Sequence, residues 1–144
     1  MTYMAGVAQR SVRIFFSHGA MGTRCDRVVG LKRTAHGAAV LATAMRELLK
    51  GPTDAERRAG YAGWFSARTV GTLRSVRIVG GVAFVDFADL RRIIPNASSS
   101  CGSILLLAQL NRTATQFPSV RRAIYSFNGN RQAFYEWLQY PTPS

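Results

Sequence analysis

The sequence lacks any long hydrophobic run. Apolar stretches such as Ile104 to Ala108 can form one face of a helix, but a membrane-spanning helix needs roughly 18 apolar residues or more. The N-terminal stretch MTYMAGVAQR also lacks the hydrophobic centre and the cleavage pattern of a secretory signal. We therefore expect no membrane span in this chain, and either a cytoplasmic protein or an exported one whose signal lies outside this sequence.

Residues suited to catalysis are scarce. His18 and His36 are the only histidines, and neither lies in a recognisable motif. Asp86 and Asp89 sit close together across a strand end, a spacing that does not form the carboxylate pair of a hydrolase. No glycine-rich loop has the pattern that binds phosphate. We therefore predict that the protein is not an enzyme and has no catalytic residues and no cofactor.

Cysteine is limited to Cys25 and Cys101, which are far apart in the sequence and form no CxxC or Cys/His ligand pattern. This argues against a zinc site, and we predict no bound metal. Two readings of the pair remain open. The cysteines are unrelated thiols in a reducing compartment, or they form one disulfide in an exported protein.

Acidic residues and lysine are also few. The chain has 19 lysines and arginines against 7 acidic residues, a formal net charge of +12, yet only Lys32 and Lys50 are lysines. The arginines are scattered singly or in pairs and never form the block of a basic arm. The excess positive charge is therefore either dispersed over a solvated surface or gathered on a functional basic face.

Apolar periodicity predicts the elements of the first half of the chain. Alternation predicts a strand from Ser11 to Ser17, and β-favouring residues predict another from Arg27 to Lys32. From Gly37 to Lys50 the spacing changes to three and four residues, which predicts an amphipathic helix. Gly51-Pro52 ends this helix, and Thr53 to Glu56 has the pattern of a capping box for a short helical turn before a long loop.

Gly80-Gly81, between two β-rich runs, predicts a two-residue hairpin turn. The resulting register places Arg77 opposite Phe84, and we expect Asp86 to pair with Arg77 or to cap the loop. Pleating then sorts the side chains onto two faces. The predicted core face carries Val76, Ile78, Ala83, Val85 and Phe87, and the opposite face carries Ser75, Arg77, Val79, Val82, Phe84 and Asp86.

The second half continues with a helix and a strand. Serines 98–100 are candidate caps for a helix that ends at Pro118 and carries an apolar stripe. Arg122 to Asn128 predicts the last strand. The element order is therefore β-β-α-β-β-α-β, and it predicts an α+β fold: a two-layer sandwich whose small, mostly antiparallel sheet is covered on one face by two helices. The predicted stripe consists of Ile104, Leu107, Leu110, Ala114 and Phe117.

GGVAFVDF, Gly80 to Phe87, nearly matches the RNA-recognition signature. In that signature the first, third and fifth positions face outward and supply a cation and two aromatics that stack on bases. Here these positions are Gly80, Val82 and Phe84, so the cation and one aromatic are missing. We keep a nucleic-acid-binding domain with an RNA-recognition-like sheet as the alternative function, and nucleic acid is the less favoured partner.

A resemblance to a known family covers more of the chain. The stretch LLKGPTDAERRAGYAGWFSARTVGTLRSVRIVGGVAFVDFADL, from Leu48 to Leu90, resembles the GerMN domain, with its L-x-x-G-P-T helix end, its E-x-x-x-G, its glycine-threonine entry and its glycine hairpin before V-D. LAQLNRTATQFPSVRRAIYSFNGN, from Leu107 to Asn130, resembles that family's second helix and final strand. The proline that commonly precedes the glycine-threonine entry is absent from Ala67 to Val70.

The resemblance implies a single GerMN-like domain over residues 12–129, related in fold to ring-building motifs, with an N-terminal tail at 1–11 and an aromatic C-terminal tail at 130–144. It implies an extracytoplasmic domain, secreted or lipid-anchored, of a bacterial cell-envelope protein connected with sporulation, without enzymatic activity. Such a domain serves protein interaction or assembly. The implied partner is an envelope protein or an anionic cell-wall polymer, and a homo-oligomer is another possibility. Export would also favour a disulfide between Cys25 and Cys101.

The sheet face away from the helices is the predicted partner surface, because aromatic side chains beside arginines dominate interface energetics. The other reading is that the aromatic tail Phe134 to Pro141 folds back and covers this face. The candidate partner surface consists of Arg13, Phe15, Arg77, Phe84, Tyr125 and Phe127.

Overall fold

The computed structural model of the chain describes residues 9–19, 24–37, 39–95 and 97–144. Most of the predicted N-terminal tail lies outside the described residues. The strands in the described part are β1 (Gln9–His18), β2 (Val29–His36), β3 (Tyr61–Ala62), β4 (Leu73–Val79), β5 (Val82–Phe87) and β6 (Arg122–Phe127). Its α-helices are α1 (Val40–Leu49), α2 (Asp54–Arg58), α3 (Ser100–Thr115) and α4 (Arg131–Leu138), and a 3₁₀ turn spans Ala67–Thr69.

The predicted α+β class is confirmed, but the strands form two three-stranded sheets instead of one. The first sheet has the order β2-β1-β3 and is antiparallel. The second has the order β4-β5-β6, in which β6 runs parallel to β5. Helix α1 contacts β1, β2 and β4, and α3 contacts β1 and β6. The two long helices therefore pack against strands of both sheets and do not simply cover one face of one sheet.

Two glutamine side chains explain why β1 does not join the second sheet. Gln116 accepts a hydrogen bond from the Arg13 amide at 2.9 Å, and its Nε2 donates to the Arg13 carbonyl at 2.7 Å. Gln109, which is fully buried, donates to the Phe15 carbonyl at 2.9 Å. Further along the same edge, β3 pairs with the end of β1. Side chains of α3 and of its C-cap residue, Gln116, thus provide hydrogen bonds that a neighbouring strand would otherwise make. The backbone of β1 needs no further strand on that side.

The glycine hairpin forms with the predicted register. β4 and β5 pair antiparallel with Arg77 opposite Phe84, and Gly80 and Gly81 both have positive φ, 56° and 81°. This is the backbone conformation in which a side chain would be strained, and it explains why two glycines occupy the turn.

The predicted core face of the hairpin is only partly buried. Ala83, Val85 and Phe87 are buried, but Ile78 is 43% exposed, so its placement in the core is wrong. Ile78 lies near the hairpin tip, where it lines an open groove beside α1 and Phe117. Ile104 of α3, also expected on the apolar stripe, is likewise 43% exposed.

The segment predicted as an aromatic C-terminal tail contains helix α4, which packs into the core. Asn130 caps the helix by accepting a hydrogen bond from the Ala133 amide at 3.0 Å. The Phe134 side chain is fully buried, and the Tyr135 hydroxyl accepts a hydrogen bond from the Tyr125 amide at 3.2 Å. The packed unit therefore extends beyond residue 129, and α4 covers the outer edge of β6.

Cys25 and Cys101 form a disulfide that joins the segment before β2 to the first turn of α3, with a Cα–Cα distance of 5.3 Å. Ser99 caps the same helix by accepting a hydrogen bond from the Gly102 amide. The predicted serine cap is confirmed. The disulfide fixes the start of α3 to a distant part of the chain.

The predicted capping box at Thr53 and Glu56 is confirmed, and it is linked to the first sheet. The Thr53 hydroxyl accepts from the Glu56 amide, and the Glu56 carboxylate accepts from the Thr53 amide. The same carboxylate receives two hydrogen bonds from the Arg33 guanidinium, at 2.6 and 2.8 Å. The Arg33 hydrogen bonds, assisted by the Thr53 amide, lower the pKa of Glu56 although partial burial opposes them.

We expect Glu56→Gln to lower the free energy of unfolding at neutral pH by about 2 kcal/mol, because hydrogen bonds to a charged group contribute roughly 1.5–3 kcal/mol. The folded-state pKa lies below the unfolded-state value. The stabilisation is therefore present above the unfolded pKa and is lost as pH falls through the folded pKa. Urea unfolding of wild type and variant from neutral to acid pH should show a difference that shrinks below about pH 5.

The matched control is Glu136→Gln, which changes an exposed carboxylate in the same way. We expect it to alter the free energy of unfolding by less than about 0.5 kcal/mol. A difference between wild type and Glu56→Gln that stays constant down to acid pH would contradict the assignment.

Candidate interaction surface

The second sheet has one face turned away from the helices, which we call the outer face. Register places three rows across it: Val79, Val82 and Arg122; Arg77, Phe84 and Ile124; Ser75, Asp86 and Ser126. A cavity of about 230 Å³ opens at this face and is also lined by Gly129 and Arg131, which follow β6. The outer face is therefore built by the hairpin, the last strand and the start of α4.

Two guanidinium groups lie against the Phe84 ring. The Arg77 Cζ lies 4.4 Å from the ring centroid, and the Arg131 Cζ lies 5.8 Å from it. Such cation–π contacts contribute roughly 0.5–1 kcal/mol at exposed sites. They also hold the planar donor groups in place beside the cavity, ready to meet an anionic group.

Asp86 is the carboxylate of the outer face, and its oxygens are used within the fold. One oxygen accepts from the Ser126 hydroxyl at 2.5 Å and from the Gly129 amide at 2.8 Å. The other lies 3.3 Å from the Arg74 Nε. Asp86 thus caps the turn after β6 and not the loop that follows its own strand. Its salt bridge is with Arg74, so the expected pairing with Arg77 is wrong. A shift in the pairing register between Leu73 and Ser75 accompanies this arrangement.

The remaining arginines of the outer face have no carboxylate partner within the described residues. Arg77, Arg122 and Arg131 take part in no salt bridge there, and Arg77 and Arg122 are exposed. Arg131 donates a 3.3 Å hydrogen bond to the carbonyl of Pro143. The outer face is thus strongly basic, with Phe84 at its centre.

The structure brings together only two of the six residues predicted for the partner surface, Arg77 and Phe84. Tyr125 and Phe127 are buried, with 0% and 2% of their surface exposed, so their prediction as surface residues is wrong. Because β6 is parallel to β5 with Val85 opposite Tyr125, pleating turns both aromatics into the core.

The other two predicted residues, Arg13 and Phe15, belong to β1 and therefore to the first sheet. Arg13 is exposed, whereas Phe15 is only 5% exposed. The guanidinium of Arg112 lies over the Phe15 ring, with its Cζ 4.8 Å from the centroid. Arg13 and Phe15 therefore do not extend the outer face.

Sequence reasoning missed Arg122 and Arg131 as members of this surface. Arg131 lies in the C-terminal segment, which the sequence predicts to be a tail. The strand predicted from Arg122 does indicate the position of Arg122. Side chains alternate between the two faces of a strand, so Arg122 and Ile124 lie on the face opposite to the buried Tyr125 and Phe127. The tail itself does not cover Phe84: Tyr140, Pro141 and Pro143 line a groove beside α3.

Throughout the described ranges, no group of three or more His, Cys, Asp or Glu residues could hold a metal ion. No helix in that part of the chain is long and apolar enough to cross a membrane.

The sequence matches the family model Germane, described as sporulation and spore germination, over residues 13–133. The chain therefore belongs to this family, and its resemblance to GerMN domains is confirmed. No protein with a curated description matches the chain.

Solved structures show the same fold. The tandem GerMN domains of the sporulation protein GerM from Bacillus subtilis match with a TM-score of 0.57 and 18% identity, over 86% of this chain and 41% of that one. This chain thus spans less than half of the tandem structure. The first GerMN domain of the same protein matches with a TM-score of 0.54 and 17% identity, over 85% of each chain. At these identities the likeness concerns the fold alone.

Proposed function

We propose that the chain is a non-catalytic, extracytoplasmic interaction module of a bacterial cell envelope, which binds an acidic partner protein through the outer face. The observation that carries the proposal is the cluster of Arg77, Phe84 and Arg131 beside an open cavity. Arginine and aromatic residues dominate the energetics of protein interfaces. The basic face has the charge that complements an acidic partner.

Family membership and the disulfide support the proposed location. The family is described by sporulation and spore germination, and the structurally similar GerMN domains belong to a sporulation protein. A disulfide between Cys25 and Cys101 is stable in an oxidising environment and is rare in a reducing cytosol. A secreted or lipid-anchored protein fits both facts.

The chemistry of the outer face supports binding more than catalysis. Its cations are arginines, which stay protonated and cannot act as general bases. The carboxylate of Asp86 is held by Ser126, Gly129 and Arg74. A face of this kind can recognise carboxylate or phosphate groups by charge and hydrogen bonding.

Nucleic acid remains the alternative partner class, because a basic face with an aromatic ring can bind single strands. Base stacking needs an accessible ring face, and Arg77 and Arg131 already lie against Phe84. This geometry favours an anionic side chain over a stacked base. An anionic cell-wall polymer would use the same guanidinium groups without stacking.

We expect Arg77→Glu and Arg131→Glu each to weaken binding of a fluorescent poly-L-glutamate peptide by about fivefold or more, since fivefold corresponds to roughly 1 kcal/mol. Fluorescence anisotropy over a salt series measures the affinity. The matched control is Arg58→Glu, which makes the same charge change on exposed α2. Equal weakening by Arg58→Glu would mean that dispersed charge, and not the outer face, binds the peptide.

Two further probes separate the alternatives. Tighter binding of a labelled oligouridine RNA, with a steep salt dependence that Phe84→Ala abolishes, would favour the nucleic-acid function over the proposed one. Tighter binding of poly(glycerol phosphate) that depends on Arg77 and Arg131 would identify a wall polymer as the occupant.

A further inference from the structure

The second sheet has one protected edge and one open edge. The edge of β6 is covered by α4, whose Tyr135 hydroxyl accepts from the Tyr125 amide. Strand β4 forms the opposite edge, and its backbone has hydrogen bonds to β5 but to no other element of the described residues. Exposed edge strands are usually shortened, covered or interrupted, because they present a template for another strand. The register shift between Leu73 and Ser75 interrupts the start of β4. The rest of the strand, from Ser75 to Val79, is regular and uncovered and is therefore a candidate docking site.

The register of the hairpin shows which residues face outward along this edge. In a two-residue hairpin the closing pair, here Val79 and Val82, is hydrogen-bonded, and hydrogen-bonded and non-hydrogen-bonded pairs then alternate. The backbone groups of Val76 and Ile78 therefore point away from β5. A strand added beside β4 would bond to these two residues.

The side chains on either side of the edge differ in chemistry. On the helix side, Val76 and Ile78 line an apolar groove of about 310 Å³ together with Val40, Leu41 and Phe117. On the outer face, Arg77 lies between them in the strand and carries a charge without a described carboxylate partner. An added strand would thus meet apolar surface on one face and a guanidinium on the other.

We infer that the open edge of β4 binds an extended segment of a partner protein with alternating apolar and acidic side chains, which joins the second sheet as a fourth strand. The apolar side chains enter the groove beside Val76 and Ile78, and the acidic ones lie toward Arg77. Main-chain hydrogen bonds give such strand addition its affinity, and the alternating side chains give it specificity. The inference rests on the proposed function and names the form of the acidic partner.

A second copy of this chain fits the edge less well. Antiparallel pairing of two β4 edges through their outward backbone groups would place Arg77 of both copies on the same face of the joined sheet. Like charges on neighbouring strands destabilise the pairing. Charge complementarity therefore favours a different, acidic segment.

The test uses the whole chain and a fluorescent nonapeptide of alternating valine and glutamate, with blocked ends. The control peptide has the same composition with its valines and glutamates in separate blocks. We expect the alternating peptide to bind about tenfold more tightly or better by anisotropy. Hydrogen exchange should show new protection of the Val76 and Ile78 amides when it binds. Equal affinity for both peptides, or no new protection, would overturn the inference.

N-methylation of the peptide tests strand pairing without changing the protein. Two versions carry N-methyl groups on the valines only or on the glutamates only. An added strand directs only one of these sets toward β4: the valine nitrogens if it is antiparallel, the glutamate nitrogens if it is parallel. We expect one version to lose about tenfold or more in affinity and the other to bind nearly as the parent. Equal affinities of the two versions would overturn the inference.

The outcome can be separated from that of the proposed function. Binding that Arg77→Glu weakens but N-methylation does not would leave the outer face as the interaction surface and refute strand addition. Protection of the Val76 and Ile78 amides in the free protein, together with a dimer in sedimentation, would assign the edge to a second copy and also refute the inference.

Discussion

Phe134→Ala is expected to lower the free energy of unfolding by about 3–5 kcal/mol, the range for removing a fully buried phenylalanine side chain. The Phe134 ring lies within 5.2–5.3 Å of the Tyr125 and Phe127 rings and 6.3 Å from that of Phe87, measured between centroids. Truncation would therefore leave a cavity where α4 meets the second sheet. Denaturant unfolding followed by circular dichroism gives the change in free energy.

The matched control for this substitution is Tyr140→Ala, which removes an aromatic ring that is 50% exposed. It is expected to cost less than about 1 kcal/mol, because little buried contact is lost. A loss below about 1 kcal/mol for Phe134→Ala as well would contradict the burial of α4. The segment after residue 130 would then be the aromatic tail that its sequence suggested.

Removing the disulfide is expected to lower the free energy of unfolding by about 4 kcal/mol, because the bond closes a long loop in the unfolded chain. The two cysteines are 76 residues apart in the sequence. The double substitution Cys25→Ser and Cys101→Ser should therefore unfold at a lower denaturant concentration than the oxidised wild type. Reduction of the wild type should reproduce most of this change.

A reducing agent should leave the stability of the double serine variant unchanged, which controls for effects on the rest of the molecule. Thiol titration of the unreduced, unfolded protein should find almost no free thiol. Two reactive thiols per chain, or equal stability with and without reductant, would contradict the bond. That result would also remove one of the two supports for an oxidising compartment.

The local features of the fold, the hairpin register and the capping box, could be predicted from the sequence. The hairpin register followed from Gly80-Gly81 and from alternation on either side, and the capping box followed from the spacing of Thr53 and Glu56. Both depend on residues within a few positions of each other. Their geometry is therefore fixed by turn and cap rules that need no knowledge of the rest of the chain.

Contacts between residues distant in the sequence could not be predicted. The division into two sheets depends on Gln109 and Gln116 bonding to the backbone of β1, and a side-chain amide of this kind has no signature in hydrophobic periodicity. The eight-residue helix α4 was missed because its aromatic residues are weak helix formers, and its packing against the core overrides that propensity.

The candidate site was predicted only in part for the same reason. Arg77 and Phe84 are cross-strand partners in the hairpin, so local rules placed them together. Arg131 contacts Phe84 from a helix that follows β6. Tyr125 and Phe127 are buried because of the register in which β6 pairs in parallel with β5. Those relations arise from tertiary contacts between segments about 40 residues apart.

The glutamine contacts have a consequence for how this chain tolerates change. Gln116 and Gln109 recognise the carbonyl and amide groups of β1, which every residue type except proline supplies in full. Exposed side chains such as Arg13 can therefore be substituted without loss of the hydrogen bonds between β1 and the two glutamines. The two-turn spacing between the glutamines fixes where α3 contacts β1. The exposed side chains of β1 can therefore vary while the packing of α3 is preserved.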